Sequence, residues 1–135
     1  MKGELKEYLD YCIGKYFYQL LEKYEFKLTD QKMSTIAASN TFINDTLILK
    51  IVNDRGVIET QIASICSNTY WSFDLVNALI TQKEEVKSIS KSNVLKRLSL
   101  SEVAKLMHSK MDTITKLFDK GNLVQTENAL FEIGE

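Results

Sequence analysis

The 135 residues carry 17 basic and 18 acidic side chains, a net charge of −1, 44% hydrophobic residues and one histidine, the balance of a single ordinary globular domain. One histidine excludes a multi-histidine metal centre and leaves acid–base chemistry near neutral pH to carboxylates or lysines with displaced pKa values, so most enzyme classes are disfavoured. No apolar run approaches the ~20 residues of a membrane span, and the mixed-charge start MKGELKEYLDY lacks the apolar stretch of a secretion signal.

Cys12 and Cys66 lie far apart with no CxxC or zinc-like spacing, and both read as reduced thiols of a cytoplasmic protein. There is no P-loop, GxGxxG or GxSxG, and the five glycines are scattered, so neither a nucleotide nor another cofactor is expected. Charge is unevenly spread: 8 basic and 10 acidic residues over 1–82, 9 and 5 over 83–120, none and 3 over 121–135. The basic middle is weak beside the concentrated surface of a dedicated DNA binder.

In chain order, the first element is an amphipathic helix over 4–24. Leu5, Leu9, Cys12, Ile13, Tyr16, Phe17, Leu20, Leu21 and Tyr24 keep helical spacing, with charged residues on the remaining faces. Tyr8, Tyr11, Tyr16, Tyr18 and Tyr24 exceed what one stripe can bury, so some belong at its rim. The sheet region spans 25–65. Short strands are expected at Glu25–Thr29 and Met33–Ser39, followed by a hairpin of Thr46–Asn53 and Val57–Ser64 around the turn-forming Asn53-Asp54-Arg55-Gly56. On its returning strand Ile58, Thr60 and Ile62 share the buried face, leaving Glu59 and Gln61 wet.

Ser67-Asn68-Thr69 reads as a loop, followed by the aromatic pair Tyr70-Trp71 and a short helix over 72–81 capped by Ser72. The serine- and lysine-rich stretch 82–96 reads as an exposed connection. A capping box of Ser99 and Glu102 opens a long helix over 100–119, whose stripe is Leu100, Val103, Ala104, Met107, Met111, Ile114, Leu117 and Phe118. Lys120 and Gly121 are its expected stop, the glycine by taking the left-handed conformation. The tail, 122–135, offers Thr126 as the cap of a final turn over Asn128–Ile133. The fold expected is α+β: an N-terminal amphipathic helix, an antiparallel sheet of about four strands and C-terminal helices.

Two resemblances carry functional expectations. The helix running into YQLLEKYEFKL, the strand ending NDRG, the segment YWSFDLVNALI and the capped helix passing into LFDKGNLVQTENAL together resemble small immunity-like proteins of bacterial polymorphic and contact-dependent toxin systems. The pattern is strongest at Trp71, Asp74, Phe118 and Thr126. The resemblance implies tight binding of one cognate toxin domain, blocking its active site or substrate path, with no catalysis by the binder. Many such toxins are nucleases with basic active sites, so the contact surface should join acidic side chains to aromatic anchors. Asp54, Glu59 and Asp74 are the acidic candidates, Tyr70 and Trp71 the anchors.

The spacing of Glu102, Val103, Ala104, Leu106, Thr113, Ile114, Leu117, Gly121 and Leu123 also resembles the helix-turn-helix of small excisionase-like DNA-binding domains, with His108 and Ser109 at the turn. That resemblance implies a recognition helix over Thr113–Lys120 and salt-sensitive binding to duplex DNA. Residues 98–123 are thus open between one long helix and two. A third reading pairs two of the carboxylates Asp45, Asp54, Glu59 and Asp74 as acid and base.

Overall fold

The computed structural model describes residues 2–84 and 98–134. The N-terminal helix is built in three joined parts, α1 (Lys2–Cys12), a π-helical segment (Ile13–Phe17) and α2 (Tyr18–Lys23). The sequence gives a physical account of the π segment. Leu5, Leu9, Ile13 and Phe17 recur every four residues, and each such step overshoots a 3.6-residue turn by about 40°. One widened turn takes back that drift, so Leu9, Ile13, Phe17, Leu20 and Leu21 all reach the core.

Five strands follow in a meander of order β1-β2-β3-β4-β5, every neighbouring pair antiparallel. They are β1 (Lys27–Met33), β2 (Ala37–Ile43), β3 (Leu47–Asp54), β4 (Val57–Ser64) and β5 (Trp71–Ser72). The α+β expectation holds, with five strands rather than four. β5 has two residues, pairing only with Gln61 and Ile62, too few to leave a period in the sequence.

β1 and β2 lie further along the chain than the spans 25–29 and 33–39. The cause is Ser34, whose Oγ accepts from the amides of Ile36 and Ala37 (3.3 and 3.1 Å) while its own N–H donates to the Ala37 carbonyl at 2.8 Å. This hydroxyl-closed turn falls inside the segment expected to be the second strand. β1 is the outer edge of the sheet, exposed throughout, with a bulge between Leu28 and Asp30 and lysines at Lys27 and Lys32. Such features discourage further strand pairing at an edge.

In the β3–β4 hairpin the returning strand has its expected bounds, whereas the first strand and the turn lie one residue later than expected. Asp54 pairs with Val57, leaving Arg55 and Gly56 as a two-residue loop with φ of 54° and 97°, the positive pair that matches the sheet's twist. Asn53 is fully buried; its Oδ1 accepts from Gly56 N (2.8 Å) and its Nδ2 donates to the Leu5 carbonyl of α1 (2.9 Å). One side chain therefore closes the turn and ties the hairpin to the N-terminal helix.

α3 (Phe73–Glu84) starts at Ser72, whose Oγ accepts from Leu75 N at 3.4 Å, and runs past the expected end at 81. The rest of the connection expected over 82–96 lies outside the described residues. The Ser99–Glu102 capping box forms at the head of α4 (Leu100–Ser109), with both reciprocal bonds present.

The helix expected over 100–119 is divided at Lys110, and α5 (Met111–Leu117) follows after that single residue. Ser109 Oγ donates to the Leu106 carbonyl at 3.1 Å, a back-bond that bends helices. Lys110 N still bonds Leu106 O, and Ile114 N bonds Lys110 O, both at 2.9 Å. The break is thus a kink closed by hydrogen bonds, without a multi-residue turn.

The stop also differs from expectation. Gly121 does not take a positive φ. Instead Asp119 Oδ1 accepts from Asn122 N, and Asn122 Nδ2 donates to the Lys116 carbonyl, each at 3.0 Å. Side chains, rather than a left-handed glycine, satisfy the groups left open where α5 ends. α6 (Leu123–Gly134) begins directly afterwards. Thr126 is therefore inside a helix and not its cap; it is buried, and its Oγ1 donates to the Leu117 carbonyl at 2.6 Å.

One core joins the sheet to the helices. Phe42, Leu47, Leu49, Ile51 and Ile62 from one sheet face meet Leu9, Phe17, Phe73, Met107 and Phe118. Ile48 and Ala63 on the opposite face are buried but stand outside this cluster.

Candidate partner-binding surface

The β3–β4 register fixes which residues share the outer sheet face. Residues directly opposite one another on an antiparallel ladder project to the same side, so the outer face carries successive pairs Asp54 and Val57, Val52 and Glu59, Lys50 and Gln61. The two hairpin carboxylates are therefore one rung apart on one surface. Asp54 lies against its neighbour Arg55, with Oδ1 3.9 Å from Nε, both side chains well exposed; an exposed ion pair of this length contributes little. Tyr70 joins the same surface, because the Lys50 ammonium sits 5.4 Å from its ring centroid. Asp54, Glu59 and Tyr70 thus share one sheet face, with Lys50 against the Tyr70 ring.

Asp74 meets this group from the side. β5 pairs only with Gln61 and Ile62, so it leaves the β4 edge open over the hairpin end. A cleft of about 270 Å³ occupies the gap, lined by Glu59, Thr60 and Gln61 of β4, by Ser72 and Asp74 at the head of α3, and by Leu100 and Val103 of α4. The cleft therefore has two carboxylates, Glu59 and Asp74, and an apolar wall in its lining. Asp74 stands in the first turn of α3, where the helix dipole favours negative charge.

Trp71 is turned the other way. It pairs with Ile62 on the core side, and its indole N–H donates to Glu127 Oε2 at 3.2 Å; Ser67 Oγ donates to the same oxygen at 2.9 Å. Glu127 of α6 thus pins the loop that carries Tyr70, and Trp71 stands behind the surface as a support. Nothing in the sequence pairs residues 56 and 60 positions away, so this clasp had no legible signal.

Asp45 lies in the β2–β3 turn and lines a different cleft with Glu22 and Glu25. Among the described residues no three His, Cys, Asp or Glu side chains converge as a metal site would require. Cys12 is a buried free thiol and Cys66 an exposed one. No described helix is long and apolar enough to cross a membrane.

The tyrosine excess of the N-terminal helix resolves into two groups. Tyr16 and Tyr24 pack against the core, whereas Tyr8, Tyr11 and Tyr18 remain 48%, 58% and 58% exposed. Together with Lys15 these three form a row at helical spacing along α1, the π segment and α2. A hydrogen bond to Tyr11, with the charge of Tyr11 and Tyr16, holds the Lys15 ammonium above its ordinary pKa. A hydrogen bond to Glu22 and that carboxylate's charge raise the Tyr18 phenol, and Cys12 does the same for Tyr8.

Comparison with known proteins gives no match: no family model fits the chain, and no curated protein or solved structure is significantly similar to it.

Proposed function

We propose that this chain is a non-enzymatic binding protein that captures a cognate toxin domain and neutralises it, meeting that partner through the outer face of β3–β4 and the adjoining cleft. The observation that supports the proposal is that Asp54 and Glu59 share the exposed hairpin end of one sheet face, with Tyr70 against Lys50 on that face and Asp74 lining the same cleft as Glu59. Two carboxylates and an aromatic ring on one rigid hairpin face suit a basic active site, the carboxylates steering the partner and the ring supplying contact area, with Lys50 held against the ring and Arg55 against Asp54.

The DNA-binding alternative would use α5, whose exposed positions include Asp112, Thr113 and Lys116. Over the expected recognition helix, Thr113–Lys120, the charged side chains are Lys116, Asp119 and Lys120, a net of +1, which gives little attraction for a phosphate backbone. The deciding experiment is a pull-down of the tagged protein from its native cells, with mass spectrometry of the retained chains, with and without nuclease. It is repeated with an Asp54→Lys/Glu59→Lys double variant of unchanged circular dichroism. The expected result is one stoichiometric protein that survives nuclease, is inhibited by the purified wild-type chain, and is lost from the double variant. Retention unchanged by the double substitution overturns the proposed surface, and loss of everything on nuclease treatment favours DNA.

A further inference from the structure

A second surface, of opposite chemistry, lies on the helical side of the molecule. Where the π segment widens the N-terminal helix, a cleft of about 370 Å³ opens between it and α4, lined by Lys15, Tyr16, Tyr18, Ser101, Lys105 and His108 among others. Every charged or titratable nitrogen in that lining is basic in type, and no carboxylate is present. Among the described residues neither Lys15 nor Lys105 has a carboxylate within 4.0 Å. Glu102 of α4 accepts from the amide of Ser99 in the capping box.

Lys15 and His108 are also held in place. Lys15 Nζ lies 5.6 Å from the Tyr11 ring centroid and 5.3 Å from that of Tyr16, so two aromatic faces restrain a side chain that is otherwise among the most mobile. The His108 ring stands edge-on to Tyr24, with centroids 5.9 Å apart and planes at 82°. Lys105 and His108 are three residues apart on one face of α4. Preorganised cations lose less freedom on binding than free ones. Beside them runs the half-exposed row of Tyr8, Tyr11 and Tyr18, the residue type that supplies most contact area per rotamer frozen.

We propose that this cleft and the tyrosine row form a docking surface for an acidic segment of a partner protein, its carboxylates meeting Lys15, Lys105 and His108 while its apolar atoms lie on the tyrosines. The inference goes beyond the toxin-binding reading and does not depend on it. The outer sheet face calls for a basic partner and this surface for an acidic one, so one protein could engage two partners, or two regions of one partner, of opposite charge.

The test is fluorescence anisotropy of the full chain with a fluorescein-labelled hexaglutamate peptide. Saturable binding is expected, weakened by about tenfold or more in Lys15→Glu and in Lys105→Glu, and by less than about twofold in Lys32→Glu on the β1 edge. Lys15→Gln, with its milder change, guards against a folding defect and should give an intermediate loss. The Asp54→Lys/Glu59→Lys variant should bind the peptide undiminished, which separates this surface from the one proposed for the toxin. Absence of saturable binding overturns the proposal. So does equal weakening by all three glutamate variants, which marks diffuse attraction, or displacement of the peptide by equimolar inorganic phosphate, which marks a small-anion pocket.

Discussion

The β3–β4 hairpin and the helical segment from Leu100 to Gly134 are of similar standing in the core, yet they are specified in different ways. In the hairpin, local and long-range requirements coincide. The alternation of Leu47, Leu49 and Ile51 fixes the face, Arg55 and Gly56 supply the positive φ pair, and the register follows from the turn. In the helical segment they diverge. The apolar stripe there fits one continuous helix, but the backbone breaks at Lys110 and again after Leu117, and hydrogen bonds between side chains and backbone groups decide both places. Periodicity identifies what will be buried; it does not say where a helix must turn to bury it.

The largest expected effect asks whether these regions fold as one unit. Phe118 is fully buried at the end of α5, in the same cluster as Ile51 and Ile62 of the sheet. Phe118→Ala should lower the free energy of urea unfolding by about 3–5 kcal/mol. Trp71, the only tryptophan, sits on β5 and holds Glu127 of α6, so its fluorescence reports the junction. Fluorescence and far-ultraviolet circular dichroism should shift together. Separate transitions would mean that the hairpin sheet stands without the helices, and the comparison would become one between two folding units.

A smaller effect contrasts the two polar ties. Asn53→Ala removes the bond to Gly56 N and the bond to the Leu5 carbonyl from a site with no access to water, and should cost about 1–3 kcal/mol. Thr126→Val keeps shape but removes the bond to the Leu117 carbonyl; its cost should be nearer about 1 kcal/mol, because one bond is lost instead of two. Chemical denaturation of both variants ranks them. The reverse order would put the organising weight on the α5–α6 corner and not on the hairpin.

The same division governs what could be read from the sequence. The fold class, the N-terminal helix, the hairpin and both serine caps were legible because each is signalled within about ten residues. β1 and β2 are displaced from the expected spans because Ser34 closes a turn that propensity alone does not mark, and Thr126 is no cap because its acceptor, Leu117, lies behind it in another helix. Among the candidate contacts, Glu59 is legible on the wet face from strand alternation, whereas Asp54, expected in the turn, ends β3 and comes onto the same face only through the register. Tyr70 and Asp74 reach that neighbourhood only through β5, which is too short to anticipate. The cleft holding Lys15, Lys105 and His108 was illegible, since it depends on a π segment and on α4 folding back ninety residues later.

The sharpest form of the comparison sets one glycine against another. Gly56 and Gly121 both stand where a turn follows a regular element, and sequence alone assigns both the same conformational duty. Only Gly56 has it: its φ is 97°, whereas Gly121 avoids the left-handed region and a Cβ there would meet nothing nearer than Asp119 Oδ1 at 3.6 Å. Gly56→Ala should therefore destabilise by about 1–2 kcal/mol, the strain of a side chain at positive φ. Gly121→Ala should be neutral or stabilise by up to about 1 kcal/mol, since it restricts only the unfolded chain. Thermal unfolding of the two variants side by side measures the difference. If Gly121→Ala proved as damaging as Gly56→Ala, the Asp119–Asn122 turn would not be what ends α5, and the stop would revert to the glycine.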